Sequence, residues 1–278
     1  MTNNKYNFVI VYNKYKKNAI NLALNISNYL KKYQCKVFIN SSTLIRSRKV
    51  DFVLSLGGDG TMLKVIRTFA PLSVPIKGIN LGSLGFLADT DINDVLQLLN
   101  NILLSNFIIE RRNLLSIEFN YKNSKVRQIA VNDCIVKSLL CSKLIIVDIK
   151  INNKFVAHYK CDGMIIATPT GSTAYSLAAT GPIVYPNLPV FILTSISPHT
   201  LSQRSMVISN KNVISFIAKN KSDSGKIMLS IDGQKNYTIA NGEEINCYLY
   251  KKSFKLIIQN NNNKSFFETL QKKMHWGI

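Results

Sequence analysis

The chain has 278 residues, of which 46% are hydrophobic, and it carries a formal net charge of +20. This length and composition are sufficient for one large or two ordinary domains with a real core, so an intrinsically disordered protein is excluded. The sequence contains no apolar run long enough to span a bilayer, and residues 1–6 lack the apolar core of a secretory signal. We therefore expect a cytoplasmic protein that does not bind membranes.

The basic charge is spread along the chain and forms only short clusters such as Lys14 to Lys17. DNA-binding proteins more often concentrate positive charge on one arm or one recognition helix. We therefore expect no nucleic-acid partner and attribute the excess mainly to compositional bias. The five cysteines include no C-x-x-C pair, and only three histidines are present, so the metal that fits best is Mg²⁺ held by carboxylate and phosphate oxygens.

The first hundred residues alternate between apolar runs and amphipathic segments. Runs typical of buried strands occur at 7–12, 36–40, 51–56 and 74–79, and helical spacing of apolar residues occurs at 19–30, 62–69 and 92–104. This alternation predicts a parallel sheet with helices packed on it. We assign residues 1–109 to a Rossmann-like α/β domain.

From about Glu110 the pattern changes to short alternating runs, which are typical of half-buried strands. Asp232-Gly233 and Asn241-Gly242 are strong turn signals between such strands. We assign residues 110–260 to an all-β, β-sandwich-like domain. Helical spacing returns between Phe266 and Trp276, so residues 261–278 are predicted to form a C-terminal helix.

The most informative motif is the glycine-rich turn Gly57-Gly58-Asp59-Gly60-Thr61 between the strand at 51–56 and the helix that follows. Such a turn leaves backbone N–H groups free to bind phosphate at a helix start. It is not a Rossmann turn, since Leu63 occupies the third glycine position, and the Walker pattern is absent from the sequence. A carboxylate repels phosphate, so Asp59 is interpreted as a metal ligand, as a proton acceptor or simply as a helix cap.

Three further motifs follow in order. They are Asn80-Leu-Gly-Ser-Leu-Gly-Phe-Leu87, Asn132-Asp133, and Asp162-Gly163 followed by Thr168-Pro-Thr-Gly-Ser-Thr-Ala-Tyr175. Together with the glycine turn, this series resembles the motifs of NAD kinases of the bacterial ATP-NAD kinase type. The glycine turn alone is also shared with diacylglycerol and sphingosine kinases.

The resemblance implies a phosphotransferase that moves the γ-phosphoryl group of ATP to the 2′-hydroxyl of the adenosine ribose of NAD, forming NADP. It implies a C-terminal helix that returns to the first domain, a divalent cation such as Mg²⁺, and a homotetramer or homodimer. It also implies that Asp59 is the catalytic residue, either as the proton acceptor or as a metal ligand. The nucleotide-binding residues implied by the resemblance are Asp59, Gly60, Asn132, Asp133, Lys143, Lys160, Asp162, Thr173, Ala174, Tyr175, Ser176, Leu177, Ala178 and Gln234.

Several of these positions remain open to another interpretation. Asp133 is expected to keep the charge of the glutamate usual in the family, although it is one methylene shorter. Lys143 and Lys160 stand where relatives often carry histidine or arginine. Gln234 belongs to a tripeptide that a hairpin turn explains equally well, and residues 80–87 either frame the site or form a packing turn. The rival functions are a lipid or sphingoid-base kinase, and a nucleotide-sensing or nucleic-acid-binding protein without turnover.

Overall fold

A computed structural model describes residues 5–40, 50–139, 144–200, 202–220, 226–259 and 266–277. The chain forms two compact units, one made of Met1–Arg111 with Phe254–Ile278 and the other of Arg112–Ser253. In the described part of the chain, every helix is too short or too polar to cross a lipid bilayer.

Helices and strands alternate in the first part of the chain, and strands dominate the second. In chain order the first elements are β1 Asn7–Tyr12, α1 Ala19–Lys32, β2 Lys36–Ile39, β3 Phe52–Gly57, α2 Asp59–Phe69, β4 Pro75–Asn80, α3 Val95–Leu103, β5 Phe107–Arg112, β6 Leu115–Tyr121, β7 Ser124–Ala130 and β8 Asp133–Ser138. They are followed by β9 Ile145–Ile151, β10 Lys154–Cys161, β11 Gly163–Ala167, α4 Tyr175–Ala178, β12 Val190–Ile196, β13 Met206–Ser209, β14 Ile214–Asn220, β15 Ile227–Ile231, β16 Lys235–Ile239, β17 Glu244–Leu249, β18 Phe254–Gln259 and α5 Phe266–Met274. Short 3-10 helices occur at Ala70–Leu72, Ile92–Asp94 and Thr170–Thr173.

The first unit is built on a sheet with the strand order β2-β1-β3-β4-β18-β5. The pairings of β1 with β2, β1 with β3, β3 with β4 and β4 with β18 are parallel. All six residues of β3 are buried, as expected for an apolar run in the middle of a parallel sheet. The chain places β2 on one side of β1 and β3 on the other, so the strand order reverses between β1 and β3. Ligands of such sheets bind outside the carboxyl ends of the strands at this reversal, which is where Gly57 and Gly58 lie.

The second unit consists of two antiparallel sheets, with the orders β10-β9-β14-β17-β6-β7 and β13-β12-β11-β8-β15-β16. One core contains side chains from both sheets, among them Ile117 and Phe216 from the first and Val136, Ile166 and Leu229 from the second. The fold class predicted from the sequence, an α/β sheet followed by a sandwich-like pair of β-sheets with a C-terminal helix, is confirmed.

The strand β18 differs from the sequence-based assignment. The boundary at residue 260 placed Phe254–Gln259 in the β-rich domain, whereas this strand pairs with β4 in the first sheet through Lys255 opposite Pro75 and Leu256 opposite Ile76. The apolar pattern of a strand indicates which of its faces is buried and does not indicate which sheet it joins. The long-range pairing of β18 therefore left no local signal in the sequence.

Candidate active site

Asp59 is the first residue of α2 and lies directly beyond the carboxyl end of β3. Its carboxylate binds the backbone of residues 86–88: Oδ2 accepts from the N–H of Phe86 at 2.9 Å, and Oδ1 accepts from Leu87 at 2.9 Å and Ala88 at 3.1 Å. The N-cap of α2 is Gly58, in an extended conformation. The interpretation of Asp59 as a helix cap is therefore wrong, because its side chain holds a separate loop.

The loop at 80–88 is shaped to receive this carboxylate. Asn80 bends its start, since its side chain accepts from the N–H of Gly82 at 3.0 Å and donates to the carbonyl of Gly82 at 2.9 Å. A methyl carbon at Gly85 would lie only 2.7 Å from Cγ of Asp59 and 3.0 Å from its Oδ2. Glycine is thus required at position 85 for the carboxylate of Asp59 to reach the three N–H groups. The loop contacts Asp59 directly and is more than a packing turn.

A buried ion pair anchors the end of the same loop. Nζ of Lys77, on β4, donates to Oδ1 of Asp89 at 2.7 Å, and the Lys77 side chain is only 4% exposed. A buried lysine requires a charged or hydrogen-bonded partner, because an isolated ammonium group is costly to remove from water. The ion pair of Asp89 with Lys77 therefore fixes the end of the 86–88 segment to strand β4 of the first sheet.

Lys273 of α5 brings a cation to Asp59. Its Nζ lies 3.4 Å from Oδ2 of Asp59 and 4.9 Å from the ring centroid of Phe86. The side chains of Lys273 and Asp59 are 35% and 30% exposed, so both are accessible to an incoming ligand. The rings of Phe86 and Phe266 lie 6.1 Å apart, which places the start of α5 on the same loop.

In the second unit, the Asn132-Asp133 turn is held by a residue that the sequence analysis did not select. The carboxylate of Asp232 accepts from the N–H groups of Val131 at 3.0 Å, Asn132 at 2.7 Å and Asp133 at 3.2 Å. Asp232 and Gly233 have positive φ angles of 51° and 63°, as tight hairpin turns demand. The Asp-Gly signal correctly predicted the turn, but nothing local indicated that the carboxylate would bind residues about a hundred positions away.

Asp133 is buried beside this second carboxylate. Burial, and to a lesser extent the negative charge of Asp232, raise the pKa of Asp133 to about 7. We expected from the sequence that Asp133 would keep the charge of the glutamate it replaces. Near neutral pH it is instead partly protonated, so its side chain can donate as well as accept a hydrogen bond.

The turn at 168–174 packs directly on the Asn132-Asp133 turn. Oγ1 of Thr168 donates to the carbonyl of Val131 at 2.6 Å, and the N–H of Thr168 donates to the carbonyl of Asn132 at 2.8 Å. A methyl carbon at Gly171 would lie 2.6 Å from the carbonyl carbon of Asn132, so this close approach requires glycine. The structure thereby brings together two motifs that the sequence separates by more than thirty residues.

The candidate residues of this turn differ in their exposure. Thr173, Ala174 and Leu177 are half-buried, and Tyr175 and Ala178 are exposed. Ser176 is fully buried, and its Oγ lies 2.9 Å from Oγ1 of Thr194, so its side chain supports the turn from the inside. Gln234 is exposed and directly follows the Asp232-Gly233 turn.

Lys160 and Asp162 lie before the start of β11, whereas the turn at 168–174 and the Asn132-Asp133 turn lie at its end. In the sheet, Gly163 at the start of β11 pairs with Lys137, and Ala167 at its end pairs with Asp133. Thr168 lies six positions after Asp162, which corresponds to roughly 20 Å along an extended strand. Within one chain, Lys160 and Asp162 therefore do not lie close to the Asn132-Asp133 turn. Lys143 lies outside the described residues.

The donor set around Asp59 does not form a resident metal site. Among the residues that the structure describes, no group of three His, Cys, Asp or Glu side chains comes together. The Asp59 carboxylate already accepts three N–H groups and faces an ammonium group, which leaves little acceptor capacity for a cation. Any Mg²⁺ must therefore obtain most of its ligands from substrate phosphates and water.

Comparison with known proteins shows the family to which the chain belongs. Residues 43–107 match the profile of the ATP-NAD kinase N-terminal domain, and residues 131–258 match that of the ATP-NAD kinase C-terminal domain. The NAD kinase of Wigglesworthia glossinidia brevipalpis is 37% identical over 277 residues, which cover 99% of this chain and 90% of that protein. The chain belongs to the NAD kinase family.

Two solved structures share its fold. A crystal structure of yeast NADH kinase complexed with NADH matches with a TM-score of 0.86 over 99% of this chain and 89% of that one, at 22% identity. A structure of an NAD kinase from Archaeoglobus fulgidus in complex with ATP matches with a TM-score of 0.78 over 97% and 98% of the two chains, at 27% identity.

Membership of the family makes this NAD kinase a phosphotransferase that forms NADP from NAD with ATP. The function predicted from the sequence is confirmed. The family match decides against the rival lipid-kinase and non-catalytic interpretations.

Proposed function

We propose that Asp59 accepts the proton of the 2′-hydroxyl group of the adenosine ribose of NAD during phosphoryl transfer. As this proton moves to Oδ2, the hydroxyl oxygen bonds to the γ-phosphorus of ATP. The bond between the γ-phosphorus and the β,γ-bridging oxygen breaks, and ADP leaves with the electron pair. The supporting observation is the clamp of three N–H groups, which orients a carboxylate that is still 30% exposed. Phosphoryl transfer depends mainly on such alignment of the reacting groups.

The number of acceptor sites on Asp59 favours the proton acceptor over the metal ligand. A carboxylate offers about four lone-pair sites. Both sites on Oδ1 and one on Oδ2 are used by the backbone, so the hydroxyl group would take the remaining site on Oδ2, which Lys273 contacts at 3.4 Å. Mg²⁺ then enters as the substrate complex with ATP, and no step is assigned to a metal held by Asp59.

We assign the binding of the two nucleotides to the motifs of the two units. Gly60 and the start of α2 provide an anion site for the donor phosphates. Asn132, Asp133 and the turn that contains Thr173, Ala174 and Tyr175 bind NAD, with partly protonated Asp133 available as a donor to a ribose or adenine acceptor. The exposed side chains of Gln234 and Ala178, and the half-buried Leu177, complete the surface of this site, and Ser176 supports it from within.

The position of Lys160 and Asp162 supports the proposal of a homodimer or homotetramer. These residues lie at the far end of β11, so they reach NAD only when it is bound by another copy of the chain. Sedimentation of a monomer of 31.3 kDa at assay concentrations would contradict this assembly.

We also propose a cytoplasmic location, since Cys35, Cys134, Cys161 and Cys247 are free and buried, as in proteins of reducing compartments. Targeting of the tagged protein outside the cytoplasm would contradict it.

The role of Asp59 is tested by Asp59→Asn, with NADP formation followed through an NADP-specific dehydrogenase. Loss of a positioned proton acceptor is expected to lower kcat by about 10²- to 10⁴-fold, whereas binding of ATP persists because the amide keeps the shape of the side chain. Asp91→Asn, at an exposed aspartate beyond the same loop, is the matched control and should retain normal turnover. Nearly intact turnover of Asp59→Asn would exclude Asp59 as the proton acceptor.

A further inference from the structure

The turn that receives ATP in the proposed mechanism contains an unfavourable charge. The start of α2 attracts anions, but the carboxylate of Asp59 at its first position repels a triphosphate group. The N–H groups of Phe86, Leu87 and Ala88 orient this carboxylate without neutralising its charge. A cation of the protein beside Asp59 would therefore favour close approach of the donor phosphates, in addition to the Mg²⁺ that enters with ATP.

Lys273 is in the position to supply this cation. Its Nζ lies 3.4 Å from Oδ2 of Asp59, the oxygen that also accepts the N–H of Phe86. The same ammonium group lies 4.9 Å above the ring of Phe86, so its location is fixed by a ring contact as well as by the ion pair. Aromatic contact and ion pairing together hold one flexible lysine side chain in one place.

The neighbouring lysine has a different environment. Lys272 pairs within its own helix with Glu268, at 3.7 Å, and its side chain is 59% exposed. The contact with Asp59 therefore depends on the position of Lys273 on α5 and is not a general consequence of the basic end of this helix. Lys272 provides a matched control on the same helical turn.

We propose that Lys273 is a positioning residue for phosphoryl transfer, whose ammonium group offsets the charge of Asp59 so that the donor triphosphate can approach the glycine turn. Lys273 acts through Asp59 and does not bind the phosphates itself. This role rests on the proposed function, in which the glycine turn receives the donor phosphates. It explains how a carboxylate is tolerated in a turn whose backbone is otherwise suited to phosphate.

The test is a double-mutant cycle on the binding of Mg²⁺-ATP, measured by calorimetry without NAD so that no turnover is required. The proteins are the unsubstituted chain, Lys273→Met, Asp59→Asn and the double variant, with Lys272→Met as the control. Methionine retains an apolar stem over Phe86 and removes the charge. Uncovering one negative charge next to the triphosphate is expected to raise Kd about tenfold in Lys273→Met. In the Asp59→Asn background the same substitution should change Kd less than about twofold, since no carboxylate remains to be offset.

Two results would overturn the proposal. An equal loss of affinity in both backgrounds would mean that Lys273 binds the phosphates directly, and no loss in either would mean that its charge is irrelevant. Lys273→Arg, which keeps the charge, should restore most of the affinity, and failure of this rescue would also count against the proposal. Because ATP binding and the turnover of Asp59→Asn are measured separately, failure of Asp59 as proton acceptor is distinguishable from failure of the role of Lys273.

Discussion

The contact between Gly85 and Asp59 predicts that a single methyl group at residue 85 disables the enzyme. In Gly85→Ala the new carbon would lie 2.7 Å from Cγ of Asp59. Carbon atoms pack at about 3.5 to 4.0 Å, so the carboxyl group or the loop must move by about 1 Å. Such a shift stretches hydrogen bonds that now measure 2.9 Å, 2.9 Å and 3.1 Å beyond useful length.

A displacement of about 1 Å at a reacting group costs on the order of 10²-fold in rate, which corresponds to about 2.7 kcal/mol in the activation free energy. We expect kcat/KM for NADP formation to fall by this factor. The free energy of unfolding should fall by about 1 to 3 kcal/mol, the usual cost of overpacking. Initial rates from the coupled dehydrogenase assay and urea unfolding curves measure the two quantities.

Gly82→Ala is the matched control in the same loop. Among the described residues, a methyl carbon at Gly82 would meet only the Nζ of Lys16, at 3.2 Å, and a flexible lysine end can move away. This variant should retain activity within about threefold and unfold like the unsubstituted protein. Activity of Gly85→Ala equal to that of Gly82→Ala would refute the argument that the loop fixes Asp59.

Two further predictions concern the second unit. Because the pKa of Asp133 is raised to about 7 from 3.8, its contribution to stability is fully present below about pH 4 and is lost as the pH rises through about 7. The difference in unfolding free energy between the unsubstituted protein and Asp133→Asn should accordingly fall by up to about 4 kcal/mol across this range in urea titrations, and parallel pH curves would contradict the raised pKa. Asp232→Ala leaves the buried N–H groups of Val131 and Asp133 and the half-buried one of Asn132 without their acceptor, so we expect a loss of about 3 kcal/mol in unfolding free energy and a raised KM for NAD. A change in unfolding free energy below about 0.5 kcal/mol would exclude this role for Asp232.

The sequence predicted the elements of the fold well because their signals are local. The apolar runs and helical spacing of the first hundred residues correctly indicated β1, α1, β3 and β4, and the Asp232-Gly233 signal located a hairpin turn. The joining of β18 to β4 was not predicted, since the pairing of Leu256 with Ile76 spans most of the chain. Long-range pairing requires knowledge of partners that a strand's own sequence does not contain.

The sequence predicted which residues of the candidate site carry chemistry, but not which residues hold them in position. Asp59 and Asn132 were selected because carboxylate and amide groups beside glycine-rich turns have an identifiable chemistry. Lys273 and Asp232 were not selected, because a lysine on a basic helix and an aspartate in a hairpin are common in any protein. Only the folded positions of these two residues distinguish them.

The place of β5 at the edge of the first sheet has a consequence for the order in which the chain folds. In this sheet β5 lies outermost and borders β18, yet Arg112 and Phe254 are 142 positions apart. At typical rates of protein synthesis the ribosome needs about 7 to 30 s to make this intervening stretch. During that time β5 and the edge of β4 that will pair with β18 remain unpaired, and the cation on α5 is made later still than β18. All residues of the second unit are thus synthesised before β18 joins the first sheet, and Asp59 receives its counter-ion only after both.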